Sequence, residues 1–333
     1  MSSIALIACD HGFGHTKRCY IFGLGLAREN FRVTLFARRD GIEKFSKLFG
    51  VHKNLTFSFF NTDTKLDSDF NQLINWLKVI PDLSEFKIVV SDNLPEALEI
   101  RSDVILSGSF LWHLDAPNLS NEYKTYCAEL LARHKPKHIA SEFFVSEELS
   151  KVSNIIPIGI LGNQVSRGPI HFCFDGALLI SGGKSEAFQE EFKTMVRQLA
   201  KNQKPKFAKV VVDSWLMPKN APDWMEIGNF DQEMYDAISV AIIRPGVGTV
   251  TDCIRNNIFI VSVHEAHNKE MIANSSAIFS AHCGIQASYN TVDQQFINDS
   301  IVEHYSRFVD KKNHLSFSGE IDFVNALQTL IPS

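Results

Sequence analysis

Two glycine turns, each placed directly behind a short apolar run and each opening a helical pattern, constrain this chain more than any other feature. The first follows residues 4–8 and reads Asp10-His11-Gly12-Phe13-Gly14-His15-Thr16-Lys17-Arg18. The second follows residues 240–243 and reads Arg244-Pro245-Gly246-Val247-Gly248-Thr249-Val250-Thr251-Asp252. Strand, glycine turn and helix in that order begin a parallel sheet wrapped by helices. The surrounding pattern agrees with this. Apolar runs at 4–8, 32–36, 55–59, 88–90 and 104–107 alternate with helical patterns, and runs at 177–181, 210–212, 225–228, 240–243 and 259–263 repeat the scheme. The spacing predicts an α/β chain of two Rossmann-like domains.

At 333 residues the chain is too long for one ordinary α/β core and suits two. The alternation loosens around residues 155–169, ending in Gly168-Pro169, which reads as the linker. Expected boundaries are therefore 1–157 for the first domain, 170–317 for the second, and 318–333 for a last helix closing the chain. In the first βαβ unit, Cys19, Phe22 and Leu26 recur at helical spacing, with Gly23 and Gly25 letting the helix lie close on the sheet. In the second half, Phe188, Phe192, Met195 and Leu199 mark one face of a helix over about 186–202.

Composition narrows the function. A formal net charge of −5, with no clustered basic excess, argues against a nucleic-acid partner. Cys9, Cys19, Cys127, Cys173, Cys253 and Cys283 are scattered, with no C-x-x-C pair and no His cluster at ligand spacing, so they read as reduced thiols and no metal site is expected. No apolar stretch reaches the roughly 20 residues a membrane helix needs, and the start of the chain reads as a core strand rather than a signal peptide. The expectation is a cytoplasmic protein with at most peripheral contact with the inner face of the membrane. Arg38-Arg39 with Lys44, Phe45, Lys47, Leu48 and Phe49 reads either as a basic, partly apolar surface for such contact or as a solvated helix face with a buried seam.

Both glycine turns suit a polar ligand, because backbone N–H groups at a helix start are unpaired and carry partial positive charge. The first turn is not a dinucleotide fingerprint, since the third glycine of G-x-G-x-x-G would fall on Lys17. Nor is Gly183-Lys184-Ser185 a P-loop, because the frame would need a glycine at Leu178, inside a strand. His15 reads either as a helix cap or as a base. Its place behind a G-x-G turn, where open α/β sheets bind ligands, favours chemistry, and an imidazole can accept the proton of an attacking hydroxyl. The second turn reads either as a nucleotide cradle, with amides on a diphosphate and the Asp252 carboxylate on a ribose, or as a tight βα turn with Asp252 solvated. Ser107-Gly108-Ser109-Phe110-Leu111-Trp112-His113 closes another strand, and its aromatics either face an acceptor or pack beneath a loop.

Taken together, Gly12-Phe13-Gly14-His15 and the run from Arg244 to Asp252 resemble the GT-B glycosyltransferases related to the N-acetylglucosaminyltransferase of peptidoglycan lipid synthesis. In that family a G-x-G-H turn opens the N-terminal domain and R-x-G-x-x-T-x-x-E opens a C-terminal helix. The resemblance implies the GT-B fold, two Rossmann-like domains facing each other across a cleft, with an acceptor-binding first domain and a nucleotide-sugar-binding second one. It implies His15 as the catalytic base and a donor site drawn from Gly14, Arg244, Gly246, Gly248, Thr249 and Asp252. Ser181, Gly182 and Gly183 look like the family's glycine loop at the donor phosphates. Residues 228–234 resemble the stretch lining the nucleobase, with Phe230 the contact, and Asn268 and Glu270, followed by Ala273-Asn274, resemble the segment that binds the donor sugar. Two departures stand out: Asp252 replaces the family's ribose-binding glutamate, and Glu270 replaces its glutamine.

The implied reaction is inverting, metal-independent transfer from a nucleotide diphosphate sugar, UDP-linked by default. The acceptor is a lipid-linked or saccharide hydroxyl, as in cell-envelope polysaccharide or glycolipid synthesis. The nucleotide sugar enters as co-substrate, with no separate cofactor. Relatives with the same G-x-G-H turn hydrolyse nucleotide sugars, using the histidine to activate water, and that alternative stays open beside a non-catalytic nucleotide-sugar sensor.

Overall fold

A computed structural model of the chain describes residues 2–10, 13–59, 69–115, 119–162, 174–183, 188–308 and 315–331. It divides into two compact units: Met1–Gly162 with Ser316–Ser333, and Asn163–Leu315. His11, Gly12, Cys173, Lys184, Ser185 and residues 163–169 of the expected linker lie outside the described residues.

Unit 1 carries β1 (Ser3–Ala8), β2 (Arg32–Ala37), β3 (Leu55–Phe59), β4 (Ile88–Asp92), β5 (Ile105–Ser107), β6 (Lys137–Ser141) and β7 (Asn154–Ile158). They form one sheet in the order β3-β2-β1-β4-β5-β6-β7, and every pair is parallel. The continuous apolar run of β1 follows from burial on both faces, which parallel sheets impose. Ile4, Leu6 and Ala8 enter one core with the helix Phe13–Arg28, while Ala5, Ile7 and Cys9 enter another on the opposite face. Chain order reverses between β1 and β4, where Ala8 pairs with Asp92. That reversal is the crevice in which open α/β sheets bind ligands.

The helix Gly319–Leu330 belongs to unit 1. Phe323 stacks on Phe22 with ring centroids 3.7 Å apart, and Arg28 pairs with Glu320 at 3.0 Å. This alters one expectation. A Cβ on Gly23 would meet Leu55 at 3.0 Å, so that glycine does let its helix approach the sheet, but a Cβ on Gly25 would meet Glu320 at 3.0 Å. Gly25 makes room for the last helix, not for the sheet.

Unit 2 carries β8 (Ala177–Ser181), β9 (Val210–Val212), β10 (Met225–Ile227), β11 (Ile238–Ile243), β12 (Phe259–Ser262) and β13 (Gly284–Gln286). The order is β10-β9-β8-β11-β12-β13, again all parallel, with the reversal between β8 and β11. The helix over about 186–202 is observed as Gln189–Lys201. Phe192, Met195 and Leu199 are buried along it as expected, but Phe188 sits before it at φ 69°, its ring edge-on to Phe192 at 5.9 Å. Three strands lack a clear sequence signal: β6 opens on Lys137-His138, β7 contains Pro157, and β13 has only three residues. Proline is tolerated in β7 because that strand lies at the sheet edge. Residues 154–158, at the opening of the stretch read as linker, are thus a strand of unit 1. No described helix is long and apolar enough to cross a membrane.

Candidate functional site

In unit 1 the turn behind β1 starts the helix Phe13–Arg28 and places His15 and Arg18 one turn apart on the same face. Across the reversal, β4 ends on Asp92, which is fully buried. His15 Nδ1 lies 2.6 Å from Asp92 Oδ1. Arg18 grips the same carboxylate with both arms, Nε donating to Oδ2 at 2.6 Å and Nη2 to Oδ1 at 2.7 Å. Ser107, ending β5, donates to Oδ2 at 3.2 Å. Burial pushes the Asp92 carboxyl up, but the Arg18 charge and the hydrogen bonds from His15 and Arg18 outweigh it and hold the group well below the ordinary carboxylate range.

The distances select a tautomer. A ring nitrogen 2.6 Å from a carboxylate oxygen needs a hydrogen between them, so Nδ1 is the donor. Arg18 Nη2 approaches the same Nδ1 at 3.1 Å, but it cannot donate to a nitrogen that already carries a proton, and its hydrogens go to Asp92. In a singly protonated ring that arrangement puts the lone pair on Nε2, the form a general base requires.

The strand-closing segment from Ser107 to His113 supports this group. Gly108, at φ 121°, accepts from His138 Nε2 at 2.8 Å, and Phe110 presents its ring to His15 at 6.2 Å between centroids. Burial pushes both His138 and His113 down to about 4, so each is neutral at neutral pH.

In unit 2 the parallel register brings Ser181, Asp213 and Arg244 to the carboxyl edge of β8, β9 and β11. Asp213 receives the Ser181 hydroxyl at 3.0 Å and the Gly182 amide at 2.9 Å. Burial pushes Asp213 up to about 6 against those bonds. Ser181 is buried and occupied by this contact. Gly182 is required by packing, since a Cβ there would meet the Trp215 ring at 2.9 Å, and Trp215 Nε1 donates to the Gly183 carbonyl at 3.0 Å. Gly183 stands at φ 70° with open space before it.

Arg244 is held by Glu265, its Nε and Nη2 donating to Oε1 at 3.0 and 2.9 Å. Behind it, Gly246 caps the helix Val247–Arg255 with no side-chain hydrogen bond, so the first amides of that helix face outward around Gly248 and Thr249. Asn274, buried, donates to the Pro245 carbonyl at 2.8 Å and braces the turn from within, which makes it a structural support rather than a group turned toward a ligand. Asp252 is half-buried one turn along, 3.5 Å from the Tyr235 hydroxyl. Phe230, after β10, is exposed and held at φ 59°, an unusual conformation for a bulky residue. Asn268 caps the helix Lys269–Ser280 through the Met271 amide, and Glu270 lies in that helix's first turn.

Three glycines have no packing reason among the described residues. Gly14, Gly246 and Gly248 would each accept a Cβ with nothing within 4 Å, and none has the positive φ that favours glycine. All three follow strands that flank a chain reversal, where a missing side chain leaves room for a ligand to reach the backbone.

Sequence reasoning singled out His15 and the glycines as candidates but not the residues that contact them or line the same strand ends, Asp92, Arg18, Asp213 and Glu265. The available signal was position: Asp92 and Asp213 each lie at the carboxyl end of a strand adjacent to, or one removed from, a reversal.

No described protein family and no curated protein matches the chain in sequence. Solved structures do match over its whole length. LpCGTa in complex with UDP superposes with a TM-score of 0.66 at 12% identity, covering 100% of both chains. The spinosyn rhamnosyltransferase SpnG complexed with thymidine diphosphate gives 0.64 at 15% identity, covering 99% of this chain and 100% of its own. Arabidopsis thaliana UGT89C1 complexed with quercetin gives 0.59 at 8% identity, covering 98% and 93%. At such identities the likeness shows the fold, which is the two-domain α/β fold of the GT-B glycosyltransferases.

Proposed function

We propose that the chain is a glycosyltransferase that moves a sugar from a nucleoside diphosphate donor to an acceptor hydroxyl with inversion. The observation that carries this reading is the buried couple of His15 and Asp92 at the chain reversal of unit 1, Nδ1 lying 2.6 Å from Oδ1. His15 takes the proton of the attacking hydroxyl, a contribution of about 10²- to 10⁴-fold. In unit 2 the amides around Gly246 and Gly248 receive the leaving diphosphate, which needs dense hydrogen-bond donation as its charge develops. Phe230 covers the base and Asp252 accepts from the ribose, while Asn268 and Glu270 contact the donor sugar. Arg244, tied to Glu265, shapes the donor loop rather than meeting the phosphates as a free cation. UDP and dTDP sugars are the donors of choice. The motif likeness to the peptidoglycan lipid transferase supports a lipid-linked or saccharide acceptor, and the reading places the reaction in the cytoplasm without a separate cofactor.

The test combines thermal-shift screening of nucleotide sugars with product analysis, because a bound ligand raises apparent stability by mass action. UDP- or dTDP-hexoses are expected to raise the melting temperature. His15→Ala is expected to lower turnover by about 10²-fold or more while leaving donor affinity unchanged. Free sugar released at full rate without acceptor would replace the transferase reading by hydrolysis.

A further inference from the structure

Asp92 is a fully buried carboxylate that is held ionised, and an isolated charge in such a place is strongly disfavoured. Something must supply the balancing positive charge. The groups placed against it come from three elements: His15, Arg18 and Cys19 from the helix behind β1, Ser107 from β5, and His138 from β6. His138 is neutral, Ser107 has no charge, and burial pushes the Cys19 thiol well above its ordinary range. Two groups can then carry the charge, the Arg18 guanidinium or a doubly protonated His15. They are not equivalent for chemistry, because an imidazolium has no lone pair to accept a proton.

We infer that Arg18 is a positioning residue which balances Asp92 through its two-armed grip, so that His15 keeps its hydrogen on Nδ1 and its lone pair on Nε2 at neutral pH. The geometry has the features such a role needs. Nε and Nη2 reach the two carboxylate oxygens at 2.6 and 2.7 Å, which fixes the plane of the carboxylate and aims Oδ1 at Nδ1. Arg18 is three residues from His15 on one helix, so the three groups are set by a single turn of backbone and the end of β4. Without the guanidinium, the pair of Asp92 and His15 takes one proton from water. On His15 that proton makes the imidazolium. On Asp92 it turns Oδ1 into a donor to Nδ1 and moves the ring hydrogen to Nε2. Either way Nε2 is occupied.

This inference rests on His15 acting as the base, but its first readout does not depend on turnover. Protein labelled with ¹⁵N-histidine distinguishes protonated from unprotonated ring nitrogens, and the His15 signals are assigned by their loss in His15→Gln. At about pH 7.5 the wild type is expected to show an unprotonated Nε2 and a protonated Nδ1. Arg18→Met is expected to show a protonated Nε2 at that pH and to return to the wild-type pattern only on raising the pH. On whichever UDP- or dTDP-hexose the wild type turns over, the acidic limb of kcat/KM should move upward by about one pH unit or more. Activity would then fall about tenfold near pH 6.5 and largely recover near pH 9.

A wild-type ¹⁵N pattern in Arg18→Met at neutral pH, or an equal loss of activity at every pH, overturns the inference. Should Arg18→Met fail to fold, Arg18→Lys carries the test: it keeps a cation without the fork, so Nε2 should become protonated at a higher pH than in the wild type, and an unmoved transition is the refuting result. If the ¹⁵N pattern switches while the wild type turns over no nucleotide sugar, the proposed function fails and the charge assignment to Arg18 stands.

Discussion

Gly248→Ala separates folding from binding, because the structure gives the two effects opposite signs. Gly248 is the second residue of the helix Val247–Arg255, and a Cβ there meets nothing within 4 Å. Alanine therefore fits without strain and reduces the freedom of the unfolded chain, which stabilises a helical site by about 0.4–1 kcal/mol. Near the helix start the lower half of that range applies, corresponding to a rise in melting temperature of roughly 1–3 °C for a unit of this size. A diphosphate oxygen that reaches the amides around Gly248 has to pass the place of that new methyl. Backing away by a few tenths of an ångström loses one charge-assisted hydrogen bond, worth about 1.5–3 kcal/mol. The expected result is a ligand-free protein that melts higher and binds UDP or dTDP about ten- to a hundredfold more weakly, measured by calorimetric titration and thermal melts on one preparation. A variant that melts higher and binds the nucleotide unchanged would show that no ligand approaches this turn, and the phosphate role of the second glycine turn would go with it.

Glu96 offers a pH test of the core of unit 1. It is buried, accepts from the Tyr123 hydroxyl at 2.7 Å, and burial pushes it from 4.5 up to about 7. Its folded value exceeds its unfolded one, so its contribution is complete below about pH 4.5 and is lost as pH rises toward about 7. Glu96→Gln should therefore match the wild type in urea unfolding near pH 4.5 and exceed it above pH 7 by up to about 3 kcal/mol, and a difference independent of pH would refute the reasoning. Phe22→Ala removes a buried ring stacked on Phe323 at 3.7 Å and should destabilise by about 3–5 kcal/mol in denaturant titration; a loss under 1 kcal/mol would deny the last helix its place in the core of unit 1.

The strands most legible in the sequence are those buried on both faces. Residues 4–8, 177–181 and 259–263 stand out because apolar side chains are required above and below the sheet, and they are observed as strands within a residue of the expected ends. Edge and short strands carry no such requirement. The segment Asn154–Ile158 needs pairing on one side and tolerates Pro157, so its sequence reads as a loosened stretch. Phe188 shows the complementary failure: its spacing continues a helical face, but its ring reaches Phe192 from a left-handed residue outside the helix, because packing decides that contact and periodicity does not.

The same division explains what was legible in the site. His15 announces itself because a glycine turn and a histidine are neighbours in the chain, whereas Asp92 lies 77 positions away and reaches it only because β1 and β4 are paired at the reversal. An aspartate at the end of an apolar run is also what a strand exit into solvent would show, so its type alone carries no message. What distinguishes Asp92 is burial with a charge intact, and that depends on Arg18, a residue of a type that mostly sits in solvent. Asp213 repeats the pattern at the end of β9, where it secures the Ser181-Gly182 turn from below. In both units the glycines with open space before them are visible as a motif. The carboxylates at the neighbouring strand ends are not, since their partners are chosen by strand order rather than by spacing.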